Sequence, residues 1–308
     1  EQQGTGHAVA QATPKVSDQA TVLVLYGDVP LIRPQTLQAL LSAAGDGLAL
    51  LTAELPDPAG YGRILRDNTG KVVRIVESKD ANPEEAKVRE VNTGFLAAPA
   101  GKLKKWLAGL KNNNAQGEYY LTDIISMAVA EQVAIATRTP RAVAEILGVN
   151  SKPELAQRER MYQKQQAEKL MQQGVTLRDP ARLDVRGELT CGRDVVIDVN
   201  VIFEGKVTLG DRVQVGPNNV IRDSHIGSGT VIHPNCVIEQ ADIGADCRIG
   251  PFARLRPEAK LAAHVHVGNF VEVKKSEVGE GSKMNHLSYI GDTTIGAKRE
   301  AEAAAPSA

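Results

Sequence analysis

The 308-residue sequence has no excess of basic residues: 36 Lys and Arg stand against 37 Asp and Glu, a formal net charge of −1. Nucleic-acid binders and polybasic membrane-surface proteins draw on a cationic surplus, so neither class is expected. Aromatic residues are scarce at 4%, against 28 Gly and 42% hydrophobic residues, so the core must be built mainly from Val, Ile, Leu and Ala. No apolar run approaches the ~18 residues that cross a bilayer, and no basic-then-apolar leader opens the chain. The first residue is Glu1 rather than Met, and the chain reads as a fragment or a processed chain. Three cysteines (Cys191, Cys236, Cys247) with no C-x-x-C pair exclude a disulfide framework and a Cys-only zinc site; a reducing cytoplasm is the expected compartment.

The chain changes texture near its middle. In residues 1–150 apolar runs at 20–25, 48–52 and 72–76 predict buried strands, and 35–44 and 100–110 predict helices. That alternation suggests an α/β domain with a mostly parallel sheet. Residues 151–174 predict one exposed connecting helix, opened by a Ser151-x-x-Glu154 capping box with Pro153 in its first turn and stopped at Gly174. From about residue 180 the period is neither 2 nor 3.6. Leu209-Gly210, Ile226-Gly227 and Ile243-Gly244 recur every 17 residues, and an aliphatic residue returns every six, as in Ile243, Ile249 and Leu255. Short strands joined by tight corners fit that spacing, three to a coil, with coils stacked about 4.8 Å apart. The glycines are expected where the backbone bends or takes positive φ. An irregular Gly-rich β-sandwich is the alternative. Residues 297–308 lose the hexad and turn Ala/Glu-rich, as a capping helix, a disordered tail or sequence foreign to the solenoid.

Candidate chemistry is scattered along this frame. Gly4-Thr5-Gly6-His7 precedes a short helical pattern, where a helix N-terminus favours an anion or a polar ring edge and a plain turn is the alternative. Tyr26-Gly27-Asp28 follows an apolar strand, putting a carboxylate where open α/β sheets bind ligands. Asp28 is a candidate Mg²⁺ ligand, or simply a turn-forming Asp before Val29-Pro30. Gly62, Glu77 with Lys79, Asn92 and Asn150 are each explicable as structural, and it is their order that draws attention. In the second half Arg254 and Arg256 near a corner suit phosphate, with Lys274-Lys275 about one coil later and His286 and Tyr289 beyond. His286 is a candidate general base, since imidazole titrates near neutrality. His264, His266 and His286 also raise a metal site, although no ligand spacing among them is distinctive.

These motifs together carry a resemblance. Gly4-Thr5-Gly6-His7, Tyr26-Gly27-Asp28-Val29-Pro30-Leu31, Gly60-Tyr61-Gly62-Arg63-Ile64, Glu77-Ser78-Lys79-Asp80 and Val91-Asn92-Thr93-Gly94 occur in order. The run Asn112 to Tyr120, Gly148-Val149-Asn150, Gly250 to Pro257, Gly268 to Glu272 and His286 to Asp292 follow. The sequence resembles the bacterial family of bifunctional UDP-N-acetylglucosamine pyrophosphorylases and glucosamine-1-phosphate acetyltransferases, from residue 1 to about 296. The resemblance implies a Rossmann-like nucleotidyltransferase domain (1–150), a linker helix (151–176), a left-handed parallel β-helix of hexapeptide repeats (177–296) and a tail (297–308). It implies acetyl transfer from acetyl-CoA to glucosamine 1-phosphate, then uridylyl transfer from UTP to N-acetylglucosamine 1-phosphate with release of pyrophosphate, in the supply of a cell-wall precursor. It further implies Mg²⁺ on Asp28 and Asn150, and a nucleotide-sugar site of Gly4, Thr5, Tyr26, Gly27, Asp28, Gly62, Glu77, Asn92 and Asn150. His286 would be the catalytic base, Arg256, Lys274 and Tyr289 would bind the sugar phosphate, and the protein would form a cytoplasmic homotrimer. Two family features do not occur in this sequence: the leading L-A-A-G-x-G-T-R-M phosphate loop, and the later coils that supply a substrate-binding Asn and Lys and most of the acetyl-CoA cleft. The chain is therefore expected to complete neither site and to show little uridylyl transfer by itself. A single-function sugar nucleotidyltransferase with a non-catalytic β-helix, and an inactive oligomerisation fragment, are the alternatives.

Overall fold

The computed structural model describes residues 2–301, which divide into two compact units between Arg158 and Glu159. The first contains α1 (Thr5–Ala12), β1 (Thr21–Val24), α2 (Pro34–Ala44), β2 (Leu48–Glu54), β3 (Gly62–Arg66), β4 (Val72–Val76), β5 (Glu90–Pro99), α3 (Ala100–Ala108), α4 (Ile124–Ala130) and β6 (Ile135–Arg138). Residues 48–53 are all buried because both faces of the sheet are covered. Leu48, Leu50, Leu96 and Ala98 pack with Leu103 and Trp106 of α3 and Ile124 and Ala128 of α4. Ala49, Leu51, Phe95 and Ala97 pack on the other side with Leu40 and Ala44 of α2.

The expectation of a mostly parallel sheet is wrong. The sheet is mixed, and β2 with β6 is its one parallel pair among the described residues. β1 and β2, joined through α2, run the same way as a βαβ unit would. They are not neighbours, however, because the ten-residue β5 lies antiparallel between them. The sequence reading found the βαβ rhythm and missed the strand inserted into it. Pairing along β5 also creates an opening. One edge carries β2; the other is shared, with β1 on Leu96 to Pro99 and β3 on Val91 and Asn92. Thr93 to Phe95 are left without a strand partner on that edge.

α5 (Lys152–Gln172) begins with the predicted capping box: Ser151 Oγ accepts the Glu154 N–H at 3.4 Å, while the Glu154 carboxylate takes the Asn150 N–H at 2.7 Å. No helix among the described residues is long and apolar enough to cross a membrane.

The second unit is a three-sided parallel solenoid. One side stacks residues 183–186, 201–204, 220–222, 237–239, 254–255, 272–274 and 289–291. A second stacks residues 207–209 through 294–295, and the third residues 176–177 through 300–301. Partners in neighbouring coils are 17 residues apart, as Val220 with Val237, or 18, as Arg254 with Glu272. Every strand contact among the described residues is parallel and the coils are consistent with the left-handed β-helix that the resemblance implied, so the sandwich alternative falls. Ile226, Ile232, Ile238, Ile243, Ile249 and Leu255 are fully buried inside the coil. At ~25 cal/mol per Å² of apolar area, each contributes on the order of 2 kcal/mol. Buried hydroxyls close the corners by accepting the N–H one coil on: Ser224 from Ala241, Thr230 from Cys247, Ser276 from Thr293 and Ser282 from Arg299.

Two expectations about this half change. The recurrent glycines are not the positive-φ corners. Those are taken mostly by other residues, among them Asn200, Asn218, Asn235, Asp246 and His264. Gly210 and Gly244 are small because a Cβ would come within 2.6 Å of the next coil's backbone, at Ser228 and Ala262. Nor does the coil stop at 296: Lys298 makes another positive-φ corner and Glu300–Ala301 pairs with Lys283 and Met284. Ile295 still points inward, and the backbone keeps the coil path past the last aliphatic hexad. The rest of the expected tail, 302–308, lies outside the described residues.

Candidate functional site

A cleft of about 560 Å³ opens on the first unit where β5 lacks a partner. Thr93 and Gly94 form its floor. Asn92 Oδ1 accepts the Gly94 N–H at 3.1 Å and Thr93 Oγ1 donates to the Leu51 carbonyl at 2.7 Å, so the strand is held although the edge is open. Gly94 has φ 88° and a Cβ there would overlap the Tyr26 ring. Tyr26 is further seated by an edge contact with Phe95, 6.1 Å between ring centres. Burial first, then the Glu77 and Asp28 carboxylates, push the Tyr26 phenol above its ordinary value, so it stays protonated as a hydrogen-bond donor.

The walls come from chain segments far apart in sequence. Past β1, a turn closed by Val29 N–H to the Tyr26 carbonyl (3.3 Å) presents Asp28. The Asp28 carbonyl in turn accepts the Val149 N–H at 2.9 Å, which brings the 146–150 segment alongside. A Cβ on Gly148 would lie 3.6 Å from Asp28 Oδ2 and 3.9 Å from Asn150 Nδ2, so both side chains converge on that glycine. From the other side Glu77, just past β4, is fixed by the Thr122 hydroxyl at 2.7 Å, and its second oxygen lies 3.4 Å from where a Gly62 Cβ would stand.

Of the nine residues expected in a nucleotide-sugar site, Thr5, Tyr26, Asp28, Gly62, Glu77, Asn92 and Asn150 line this cleft. Gly4 and Gly27 do not line it. Gly4, at φ 101°, is required by packing, since a Cβ would lie 2.8 Å from the Tyr119 carbonyl. Gln116, Glu118, Tyr120, Thr122 and Glu154 also line the cleft and were not singled out individually. Glu154 was legible only as a helix cap; the others lie in or just after the Asn112 to Tyr120 run. The Tyr120 side chain is buried, with its hydroxyl toward Gln116 and Asp80.

Four carboxylates (Asp28, Glu77, Glu118, Glu154) face the cleft, and no Lys or Arg does among the described residues. A phosphate entering alone would meet repulsion; a phosphate carrying a divalent cation would not. Asp28 and Asn150 offer hard oxygen donors close together. That fits Mg²⁺, which takes one or two protein oxygens and fills its octahedron with phosphate oxygens and water.

The solenoid places its expected residues differently. Arg256, Lys274 and Tyr289 follow one another on successive coils of one side. Arg256 Nη1 pairs with Glu272 at 2.8 Å, and Lys274 Nζ lies 3.9 Å from Asp292. His286 is on the adjoining side, in register with Asn269, and a corner at Leu287 (φ 49°) separates it from Tyr289. His286 and Tyr289 are both exposed. The metal alternative at His264, His266 and His286 finds no support: no group of three potential His, Cys, Asp or Glu ligands occurs among the described residues.

Two family descriptions match the chain: the nucleotidyl transferase family over residues 1–143 and the GMPPB C-terminal domain over residues 185–278. The chain is 62% identical over 296 residues to the bifunctional protein GlmU of Azoarcus sp. (strain BH72), covering 96% of this chain and 66% of that protein. To the protein of the same name from Methylococcus capsulatus it is 61% identical over 295 residues, covering 95% and 64%. To that of Ralstonia pickettii (strain 12J) it is 59% identical over 298 residues, covering 96% and 66%. The chain thus spans slightly less than two thirds of these relatives. A nucleotidyltransferase unit with an acidic, glycine-floored cleft, a parallel solenoid after it, and identity of this level through both place the chain in the bifunctional GlmU family.

Proposed function

We propose that residues 1–150 bind UDP-N-acetylglucosamine in the β5 cleft and serve uridylyl transfer from UTP to N-acetylglucosamine 1-phosphate. We propose also that the solenoid, 177–296, serves acetyl transfer from acetyl-CoA to glucosamine 1-phosphate. The observation that carries the first reading is the convergence of Asp28 and Asn150 on Gly148, in a cleft that Glu77 and Asn92 also line. Oxygen donors for a metal-bound phosphate then share one space with polar groups for sugar hydroxyls. Glu77, immobilised by Thr122, accepts from a hydroxyl; Asn92 donates; Gly62 leaves room for the ring. Tyr26 covers the floor and offers its phenolic proton. Mg²⁺ held by Asp28 and Asn150 would screen phosphate charge and align an in-line displacement, so no side chain is required to move a proton.

In the solenoid His286 accepts the proton of the attacking amine, while Arg256, Lys274 and Tyr289 hold the sugar phosphate. The Glu272 carboxylate keeps the Arg256 guanidinium extended along the coil. A homotrimer is supported by an exposed apolar corner beside His286, where Phe252 and Phe270 stack at 5.2 Å and Leu287 continues the row one coil on.

Binding tests the first reading more directly than turnover. In calorimetric titration with Mg²⁺ present, UDP-N-acetylglucosamine should bind the chain. Glu77→Gln and Asn92→Ala should each weaken it by about tenfold or more, the loss of one hydrogen bond to a polar ligand group. UDP-N-acetylglucosamine binding unchanged in both variants would remove the cleft from the reading.

A further inference from the structure

A second concavity lies on the side of the solenoid that does not carry Arg256, Lys274 and Tyr289. It has a volume of about 340 Å³ and is lined by Asp246, Arg248, His264, Val265, His266, Lys283 and Asn285. Arg248, His266 and Lys283 are in direct register on three successive coils. At the stacking distance of about 4.8 Å the row spans roughly 10 Å. None of the three forms an ion pair within 4.0 Å among the described residues.

This departs from how the same solenoid treats cations elsewhere. Along another side each Arg is interleaved with a Glu: Arg186 with Glu204 at 3.2 Å, Arg222 with Glu204 and with Glu239 at 2.8 Å, and Arg254 with Glu239 at 3.8 Å. Like charges directly opposite one another on neighbouring strands are destabilising, and interleaving removes that cost. In the row Arg248, His266, Lys283 no carboxylate is interleaved, and only the imidazole ring stands between the two cations. The one carboxylate in the lining, Asp246, is turned against the backbone of Gly229 on the preceding coil. The next carboxylate up the row, Glu300, accepts from Asn285 at 2.7 Å rather than pairing with Lys283. The row therefore keeps its charge in a concave, partly enclosed place.

We propose that this cleft binds a diphosphate group, free or carried on a nucleotide. A single oxyanion reaches one or two of the three rungs. Two joined phosphoryl groups extend along the row, meeting the Arg248 guanidinium at one end and the Lys283 ammonium at the other, with the His266 ring between. Burial, then Arg248, His233 and Lys283, hold the His266 imidazole below its ordinary value, so an anion seated there draws a proton onto the ring. The lining shares the strand Lys283–His286 with the proposed acetyl-transfer base, but the proposal rests on Arg248, His266 and Lys283 and not on that reading.

Calorimetric titration of the chain with inorganic pyrophosphate, with a chelator present so that no metal bridges ligand to the carboxylate-lined cleft, tests it. Pyrophosphate should bind at low ionic strength, weaken with added salt and bind more tightly than inorganic phosphate. Arg248→Gln should lower the affinity about tenfold or more, and Arg248→Gln with Lys283→Gln should abolish it. Asp28→Asn should leave it unchanged. Competition by UDP would show that a nucleotide-borne diphosphate is accepted; its absence would confine the site to free diphosphate. Both substituted side chains are exposed, and far-UV circular dichroism confirms that the coil is kept. A second readout, the His266 ring-proton NMR signal, should move on addition of pyrophosphate. No binding by the unsubstituted chain, equal binding by the double variant, or a stationary His266 signal would overturn the proposal.

Discussion

Glu145 offers a demanding test of how the first unit is held together. Its side chain is 1% exposed, yet it is not an isolated buried charge. Oε2 accepts from Thr36 Oγ1 at 2.5 Å and from the Arg33 N–H at 3.3 Å. Oε1 accepts from the N–H groups of Arg141 at 3.0 Å and Ala142 at 3.3 Å. One carboxylate thereby joins the start of α2 to the segment that runs on through Ile146 to Asn150. In Glu145→Gln the carbonyl keeps Arg141 and Ala142, and the amide NH₂ takes the Oε2 position. The Thr36 hydroxyl turns to accept, but the Arg33 N–H faces another donor. An unsatisfied buried donor costs about 1–3 kcal/mol, so we expect a loss of about 2 kcal/mol, or roughly 30-fold in the unfolding constant. Glu145→Ala strips all four contacts and should lose about 4 kcal/mol. The assay is built into the sequence: Trp106 is the single tryptophan and is buried in the first unit, so its fluorescence during urea denaturation reports that unit. At an m-value of about 2 kcal/mol per M, the Gln variant should shift the midpoint down by about 1 M. A Gln variant within about 0.5 kcal/mol of the parent, or one less stable than the Ala variant, would refute the reasoning.

Two further outcomes follow from the geometry. Gly94→Ala places a methyl in the Tyr26 ring at a positive φ and should abolish measurable UDP-N-acetylglucosamine binding. Gly60→Ala, also at positive φ but with open space around it, should cost only about 1 kcal/mol; equal effects in titrations of the two would sink the steric argument. Burial pushes the Cys191 thiol up to about 12 and the Cys236 thiol to about 11, and raises Cys247 as well. Raised values leave little thiolate at pH 8, so an aromatic disulfide reagent should react slowly with the folded chain and promptly with all three thiols in urea; rapid stoichiometric reaction of the folded chain would contradict that burial.

The coil was the most legible part of the sequence because its signal is one-dimensional. A side chain every six residues must point inward, and inserted or lost residues are tolerated only at corners, as between Arg254 and Glu272. What misled there was glycine, whose two uses, positive φ and close approach, look alike in a sequence. The first unit was legible in pieces: apolar runs announced β2 and β4, and the Ser151 to Glu154 spacing announced a helix start. The order of the sheet was not, because pairing is a long-range choice, and nothing local in Glu90 to Pro99 says that it inserts between β1 and β2.

The cleft divides in the same way. Asp28, Glu77, Asn92 and Asn150 stood out by residue type and motif, all but Asn92 beside a predicted strand or helix end. That they face one space is decided by contacts over long sequence separations, chiefly Val149 to Asp28, Thr122 to Glu77 and the open edge at Thr93 and Gly94. Glu145 carries no local sign of its role, since a glutamate in a short turn is ordinarily solvated; only folding surrounds it with four donors. By itself the sequence determined which segments are buried, what period each follows and the family to which the chain belongs, because these depend on neighbours along the chain. The tertiary structure alone decided which edge of β5 stays open and which cations of the solenoid are left without carboxylates, because both depend on what lies across space.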